Sequence, residues 1–101
     1  MKEVVVVGGG KIGSMIAEML AGCGDYAVTV ADASAQTLER LETTAPVNKV
    51  QVDITDEAAL DHLLVGKFAV LSAAPFHLTV AIARAAKTAG AHYLDLTEDV
   101  A

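Results

Sequence analysis

Three glycines near the N-terminus have a spacing that suits phosphate binding. Gly8, Gly10 and Gly13 form the pattern G-x-G-x-x-G directly after a run of valines and before an amphipathic stretch. In such a turn the first glycine permits a tight bend, the second lets a pyrophosphate approach the backbone, and the third lets the helix pack close to the sheet. The N–H groups around Lys11 and Ile12 would point toward the phosphates. The plainer alternative is a glycine turn that only joins a strand to a helix.

An aspartate follows at the distance that a dinucleotide-binding domain requires. Asp32 ends a second apolar run about 20 residues beyond Gly13, where such domains carry an acid that accepts hydrogen bonds from the adenosine ribose hydroxyls. Its charge would repel a 2′-phosphate, and no arginine follows it before Arg40. The sequence therefore predicts NAD in preference to NADP. The alternative is that Asp32 only caps the next turn.

Two later segments are candidates for the remaining cofactor contacts. Asp53 and Ile54 follow the third apolar run, where an acid can accept from the adenine amino group and an apolar side chain can cover the ring. Capping of the next helix explains this segment equally well. Ala73, Ala74 and Pro75 follow the fourth run and leave room for the nicotinamide half. Tight packing of helix on sheet is the other reason for small residues there.

No residue can be assigned as a catalytic acid or base. Four polar residues at the end of the fifth apolar run would face the rim of the same crevice, namely Asp95, Thr97, Glu98 and Asp99. Three others are possible proton carriers, namely His77, His92 and Tyr93. Residues of these types are more often solvated, or hydrogen-bonded within the protein, than catalytic. None has metal-site spacing, and Ser72 lacks the G-x-S-x-G setting of a hydrolase.

The elements that would position these residues alternate between strand and helix. Apolar runs predict strands at 3–7, 27–31, 47–52, 68–72 and 92–96. Stripes at helical spacing lie between them, the first formed by Ile12, Met15, Ile16, Met19 and Leu20. Ser34 and the segment 55–57 predict helix caps, and Pro46 predicts the end of the second helix. The fold class is therefore α/β, a Rossmann-like doubly wound parallel sheet of five strands in the order 3-2-1-4-5 with helices on both faces.

Composition excludes several classes of protein. The 101 residues are 53% hydrophobic and 20% charged, which predicts one folded domain over 1–101. A net charge of −6 argues against nucleic-acid binding and against an anionic membrane surface. The apolar runs are too short to span a bilayer. No signal-peptide pattern is visible, and Cys23 alone forms neither a disulfide nor a zinc site, so we expect a cytoplasmic protein. Because a six-stranded fold would continue after the fifth strand, we expect these residues to be the N-terminal part of a longer enzyme.

The chain resembles the N-terminal domain of the saccharopine dehydrogenase and lysine 6-dehydrogenase family. The segments that carry the resemblance are VVVVGGGKIG, VQVDITDEAALDHLL and APFHLTVAIARAAKTAGAHYLDLTED. The last contains the pattern A-G-x-H-Y-x-D-x-T, the most specific of the three. One departure is that Glu98-Asp99 stands where related sequences often have Gly-Glu.

The resemblance implies NAD(P)-dependent oxidation, or the reverse reduction, at the C–N bond of a small amino-acid derivative. It implies a larger C-terminal domain that supplies most substrate contacts and makes the full-length protein a homodimer. Some relatives use NADP. By resemblance, Pro75, Phe76 and Thr97 would lie near the nicotinamide or the substrate, and the nucleotide would be lined by Gly8, Gly10, Lys11, Ile12, Asp32, Asp53, Ile54, Ala73 and Ala74.

A rival interpretation is a non-catalytic NAD(H)-sensing domain of the kind that regulates potassium uptake. Those domains begin with the same strand, glycine turn and aspartate, but they usually continue after the fourth strand with an acidic or threonine-rich turn, where this chain has alanines. A third interpretation is a methyltransferase that binds S-adenosylmethionine. Such a domain would prefer an acidic residue two positions before the first glycine, and Val6 at that position argues against it. If the chain is the nucleotide-binding domain of a dehydrogenase, we expect the 101 residues alone to bind NAD weakly and to catalyse no reaction.

Overall fold

A computed structural model describes residues 2–8, 10–43, 46–74 and 78–95. Strands and helices alternate along them, in the order β1 Lys2–Val7, α1 Lys11–Gly22, β2 Tyr26–Asp32, α2 Ala35–Arg40, β3 Asn48–Gln51, α3 Glu57–Leu64, β4 Ala69–Ser72, α4 Thr79–Ala89 and β5 His92–Asp95. The strands pair in parallel, in the spatial order β3-β2-β1-β4-β5. This confirms the predicted Rossmann-like sheet and its strand order.

The first strand is the centre of the sheet and of the core. Val4–Val7 are at most 2% exposed, because β1 has a strand on either side and helices on both faces. Val7 belongs to a cluster with Ile82 of α4, whereas Val6 belongs to a cluster with Ala17 of α1. A strand covered on both faces has no polar side to present, which explains the uninterrupted valines.

Local signals set three of the helix ends. Ser34 precedes α2, and its Oγ accepts a hydrogen bond from the Thr37 N–H at 3.2 Å. Asp56 precedes α3 and accepts from the Ala59 N–H at 3.2 Å. Gly90 ends α4 with a φ of 75°, a left-handed conformation that suits glycine. These caps depend only on neighbours within a few residues, so the sequence suffices to predict them.

The face that α1 presents to the sheet differs from the predicted apolar stripe. Three members of that stripe, Ile12, Met15 and Met19, are 46%, 65% and 64% exposed. The buried residues of α1 are Gly13 and Ala17. Ile16 and Leu20, the other two members of the stripe, are half-buried and pack against the cluster that contains Ala17. Small side chains at Gly13 and Ala17 let the helix axis lie close to the strands.

The second helix ends earlier than predicted. It stops at Arg40, well before Pro46. Leu41 turns into the core at 5% exposure, and its carbonyl accepts a hydrogen bond from Lys49 Nζ at 2.9 Å. Burial of one leucine and a contact from β3 therefore decide the helix end, and neither is visible in the local sequence.

Candidate functional site

The carboxyl ends of β1, β2 and β4 and the turn after β3 surround one cavity of about 230 Å³, here called the edge cavity. Its lining contains Gly8, Asp32, Ile54 and Ala74, all predicted site residues, together with Val7, Ala31, Ala33 and Leu78. Parallel strands end at the same edge of a sheet, and β1 is paired with both β2 and β4. This edge of a doubly wound sheet is where ligands bind in such folds.

Two of the three motif glycines are required by the packing of the protein itself. Gly8 has a φ of +108°, and a Cβ added there would lie 2.9 Å from the carbonyl oxygen of Ala73. A Cβ on Gly13 would overlap the carbonyl oxygen of Gly8. The turn is held further by the Gly8 N–H, which donates to the Ala31 carbonyl at 2.7 Å. Side chains at either glycine would push the turn away from the sheet.

Gly10 differs from the other two glycines. No atom lies within 4 Å of a Cβ added there, and its φ of −73° and ψ of −165° are open to any residue. Gly10 is the N-cap of α1 without a side-chain capping bond, and the first turn contains no acidic residue. The first N–H groups of a helix lack intrahelical partners and attract anions. The empty space at Gly10 therefore adjoins amides that can bind a phosphate.

Asp32 is held at the rim of the edge cavity. Its side chain is half-buried, and Oδ1 accepts a hydrogen bond from the Ser34 N–H at 2.8 Å. This hydrogen bond from the turn orients the carboxylate group. The structure brings Asp32 and Gly8 to the same cavity.

Asp53 and Ile54 behave differently although they are adjacent. Ile54 is 5% exposed and lines the edge cavity. Asp53 is exposed, and its Oδ1 accepts from both the Oγ1 and the N–H of Thr55, at 2.6 and 2.9 Å. These Thr55 hydrogen bonds lower the pKa of Asp53, since they stabilise the charged form. Asp53 therefore stabilises the turn before α3 through its hydrogen bonds with Thr55. A contact between Asp53 and adenine stays a prediction.

The remaining predicted residues fall into three groups. Ala73 packs under the glycine turn, with its carbonyl against Gly8, whereas Ala74 lines the edge cavity. His92 lies at the other end of the sheet, with its ring edge-on to Phe68 at a centroid distance of 5.0 Å. The predicted nicotinamide-side and rim residues Pro75, Phe76, His77, Thr97, Glu98 and Asp99 lie outside the described residues.

Tyr93, named above as a candidate proton carrier, is half-buried at the edge of the core. It packs against the cluster that contains Val70 and Ile82, and its hydroxyl donates to the Thr79 carbonyl at 3.5 Å. Burial raises the pKa of the Tyr93 phenol above its ordinary value. Burial therefore stabilises the neutral form of the phenol, and a role of Tyr93 in proton transfer stays a prediction.

A second space, which the sequence analysis missed, lies between α1 and α2. This helix cleft has a volume of about 420 Å³ and is lined by Gly10, Lys11, Ser14, Thr37, Arg40, Leu41 and Glu42. Sequence reasoning noted Arg40 only as a distant arginine. The signal that could have found it is the spacing of Thr37 and Arg40, which places them on one face of a helix.

Two negative findings apply to the described ranges alone. No cluster of His, Cys, Asp or Glu among them could hold a metal ion. No helix within them has the length and apolar character needed to cross a membrane.

Comparison with known proteins relates most of the chain to one family. The sequence model of the family described as saccharopine dehydrogenase NADP binding domain matches residues 4–100. A precorrin-2 dehydrogenase from Methanosarcina barkeri is 34% identical over 74 residues, which are 71% of this chain and 33% of that protein.

Solved structures share the fold. Apo saccharopine dehydrogenase (L-Glu forming) from Saccharomyces cerevisiae superposes with a TM-score of 0.86 at 24% identity, over 94% of this chain and 21% of that one. A UDP-glucose-4-epimerase from Stenotrophomonas maltophila with bound NAD gives 0.78 at 24% identity, over 94% and 36%. The chain therefore spans between a fifth and about a third of the length of these relatives.

Proposed function

The chain belongs to the family of saccharopine dehydrogenase NADP-binding domains, and from this premise we propose that it serves an oxidoreductase acting on the C–N bond of an amino-acid derivative. The nicotinamide, when bound, exchanges a hydride with a carbon that changes between amine and imine. The open space at Gly10 carries the proposal. A Cβ would fill it without meeting protein, whereas a Cβ on Gly8 or Gly13 would meet backbone. Gly10 is exposed, so a group from outside the chain could approach it, and the adjoining amides favour an anion such as a pyrophosphate.

NAD is the preferred nucleotide in this proposal. Asp32 lines the edge cavity with its carboxylate oriented by Ser34. From there it would accept hydrogen bonds from both ribose hydroxyls, and its charge would repel a 2′-phosphate. Each charge-assisted hydrogen bond contributes about 1.5–3 kcal/mol.

The edge cavity would take the adenosine. Ile54, Ala74 and Leu78 give it an apolar lining that suits a flat ring. Asp53, which precedes Ile54 in the chain, would accept from the adenine amino group. Lys11 and Ile12 would hold the pyrophosphate through their N–H groups. Pro75, Phe76 and Thr97 remain the proposed nicotinamide and substrate side.

The activity of the whole protein is a further proposal, because this chain spans only 33% and 21% of its relatives. Substrate contacts and dimerisation would come from additional sequence, and the enzyme would act in cytoplasmic lysine metabolism as a homodimer. The 101 residues alone would bind NAD weakly without turnover, since the additional sequence would supply most of the contacts that hold a substrate at reactive distance. A precorrin is a second candidate substrate, favoured by the 34% identity to a precorrin-2 dehydrogenase. Assays of the full-length protein with saccharopine, lysine and precorrin-2 would separate these, and NAD binding without any turnover would support the sensor class.

The proposal is tested by titrating NAD into the chain calorimetrically and comparing Asp32→Ala with a matched control. We expect Asp32→Ala to weaken NAD binding about 10- to 100-fold, which corresponds to the net loss of one such hydrogen bond. Asp25→Ala removes the same group from an exposed turn before β2, at the opposite end of the strand, and should leave affinity unchanged. Asp32→Asn keeps an oxygen to accept from the Ser34 N–H and separates loss of charge from loss of the turn. Unchanged affinity in Asp32→Ala would refute the ribose contact.

A further inference from the structure

Three large apolar side chains on one flank of α1 face solvent, namely Ile12, Met15 and Met19. Successive residues of a helix are rotated by about 100°. Because the buried Ala17 points to the sheet and Ser14 lines the helix cleft next to α2, Ile12 and Met19 lie on the flank of α1 that is turned away from α2. Met15 lies beside them on the outer side of the helix.

The same flank adjoins a part of the sheet where two leucines lie outside the core. Val6 of β1 is the ladder partner of Leu71 in β4, and Leu71 is the partner of Leu94 in β5, so the three side chains point to one face of the sheet. Val6 belongs to the cluster with Ala17 of α1, which identifies this face as the α1 side. On this side α1 contacts β1 and β2, and α2 contacts β2 and β3. Within the described ranges Leu71 and Leu94 belong to neither core cluster, and Leu94 is 49% exposed.

The surface formed by Ile12, Met15, Met19, Leu71 and Leu94, here called the apolar groove, has the width of one helix. Adjacent strands lie about 4.8 Å apart, so the line between β4 and β5 is about 10 Å from the line between β1 and β2, over which α1 packs. Helices that pack side by side have axes about 8–10 Å apart. On the opposite face α4 contacts β4 and β5, and a parallel sheet is normally covered on both faces. The apolar groove therefore suits one amphipathic helix.

We propose that the apolar groove is filled by an amphipathic helix from the additional sequence of the same polypeptide. This inference rests on the proposed function in one respect, that such sequence exists, since the chain spans 33% and 21% of the two dehydrogenases compared above. A second copy of the chain is a poorer occupant, because each copy has a net charge of −6 and the two would repel each other. A tethered helix has an effective concentration of about millimolar, so contacts with a few apolar side chains suffice to hold it.

The test compares methionine oxidation by hydrogen peroxide in the 101-residue chain and in the full-length protein, measured by mass spectrometry of peptides. Sulfoxide formation depends on exposure of the thioether, so Met15 and Met19 should oxidise roughly 10-fold or more slowly in the full-length protein. Val65→Met is the matched control. Val65 is 66% exposed and follows α3, on the opposite face of the sheet, and the methionine of this variant should oxidise at the same rate in both proteins.

A second measurement uses the full-length protein alone and follows its thermal unfolding. Met19→Lys would bury a charge beneath the docked helix and should lower the melting temperature by about 4 °C or more. Val65→Lys introduces the same charge at an exposed site outside the apolar groove and should change the melting temperature by less than about 2 °C.

Slower oxidation confined to Met15 and Met19, together with the selective effect of Met19→Lys, supports the proposal. Equal oxidation in both proteins overturns it, as does an unchanged melting temperature in Met19→Lys or equal slowing at the methionine of Val65→Met. Protection that grows with the concentration of the 101-residue chain also overturns it, because the occupant would then be a second copy. A reading frame that ends with these 101 residues has the same consequence. All measurements are made without nucleotide, so protected methionines in a protein that does not bind NAD would overturn the proposed function and leave this inference standing.

Discussion

Alanine substitutions at Gly10 and Gly13 should have opposite consequences, although both residues belong to the same motif. At Gly10 the backbone is extended and a Cβ meets nothing within 4 Å. Replacing glycine by alanine there reduces the conformational entropy of the unfolded chain, which stabilises the folded protein by about 0.4–1 kcal/mol. Alanine is also a poorer N-cap residue than glycine, which destabilises the folded protein by a similar amount. These effects offset each other, so we expect the free energy of unfolding of Gly10→Ala to stay within about 0.5 kcal/mol of wild type.

At Gly13 the added Cβ overlaps the Gly8 carbonyl oxygen. A backbone carbonyl cannot rotate away as a side chain can, so the cost should lie at the upper end of the range for overpacking, about 3 kcal/mol. For a domain of this size that lowers the melting temperature by more than about 10 °C. Gly13→Ala should therefore destabilise the fold itself, and a loss of ligand binding in this variant would not show that Gly13 contacts the ligand.

The two variants are compared by thermal unfolding followed by circular dichroism and by NAD titration. Gly10→Ala should melt at the same temperature as the wild type but bind NAD about 10- to 100-fold more weakly, because its methyl group would fill the space that we propose for the pyrophosphate. Wild-type affinity in a folded Gly10→Ala would refute the assignment of that space to the ligand. A loss of stability beyond about 1 kcal/mol would refute the inference that the space is open.

Two further predictions concern the fold. Burial raises the pKa of Tyr93, so this phenol loses its proton at lower pH in the unfolded chain than in the folded one. The free energy of unfolding should therefore fall as the pH rises above about 10. Urea unfolding at pH 8 and pH 11 should show a smaller fall in Tyr93→Phe and the wild-type fall in Tyr26→Phe. Asp56→Ala removes the cap of α3 that holds the Ala59 N–H and should cost about 1 kcal/mol, seen as a fall in the melting temperature of about 4–8 °C with NAD affinity unchanged.

Much of the architecture is local in origin and could be predicted from the sequence. Uninterrupted valines in β1 require burial on both faces, and Ser34 and Asp56 cap helices through bonds to residues three positions away. Alternation of such elements leaves few topologies open, since crossovers are right-handed and connections are short. The candidate residues Gly8 and Asp32 were predictable for the same reason, because their positions relative to strand ends can be counted along the chain.

Distances between separate helices were decided only by the tertiary structure. Gly13 and Ala17 are the buried residues of α1, whereas three of its large apolar residues, Ile12, Met15 and Met19, are exposed, and a cleft lies between α1 and α2. Arg40 reaches that cleft because Leu41 is buried and stops the helix. The spacing of apolar residues along a chain indicates which face of a helix or strand is apolar. It does not predict the distance between two helices, since that distance depends on how closely each of them packs on the sheet.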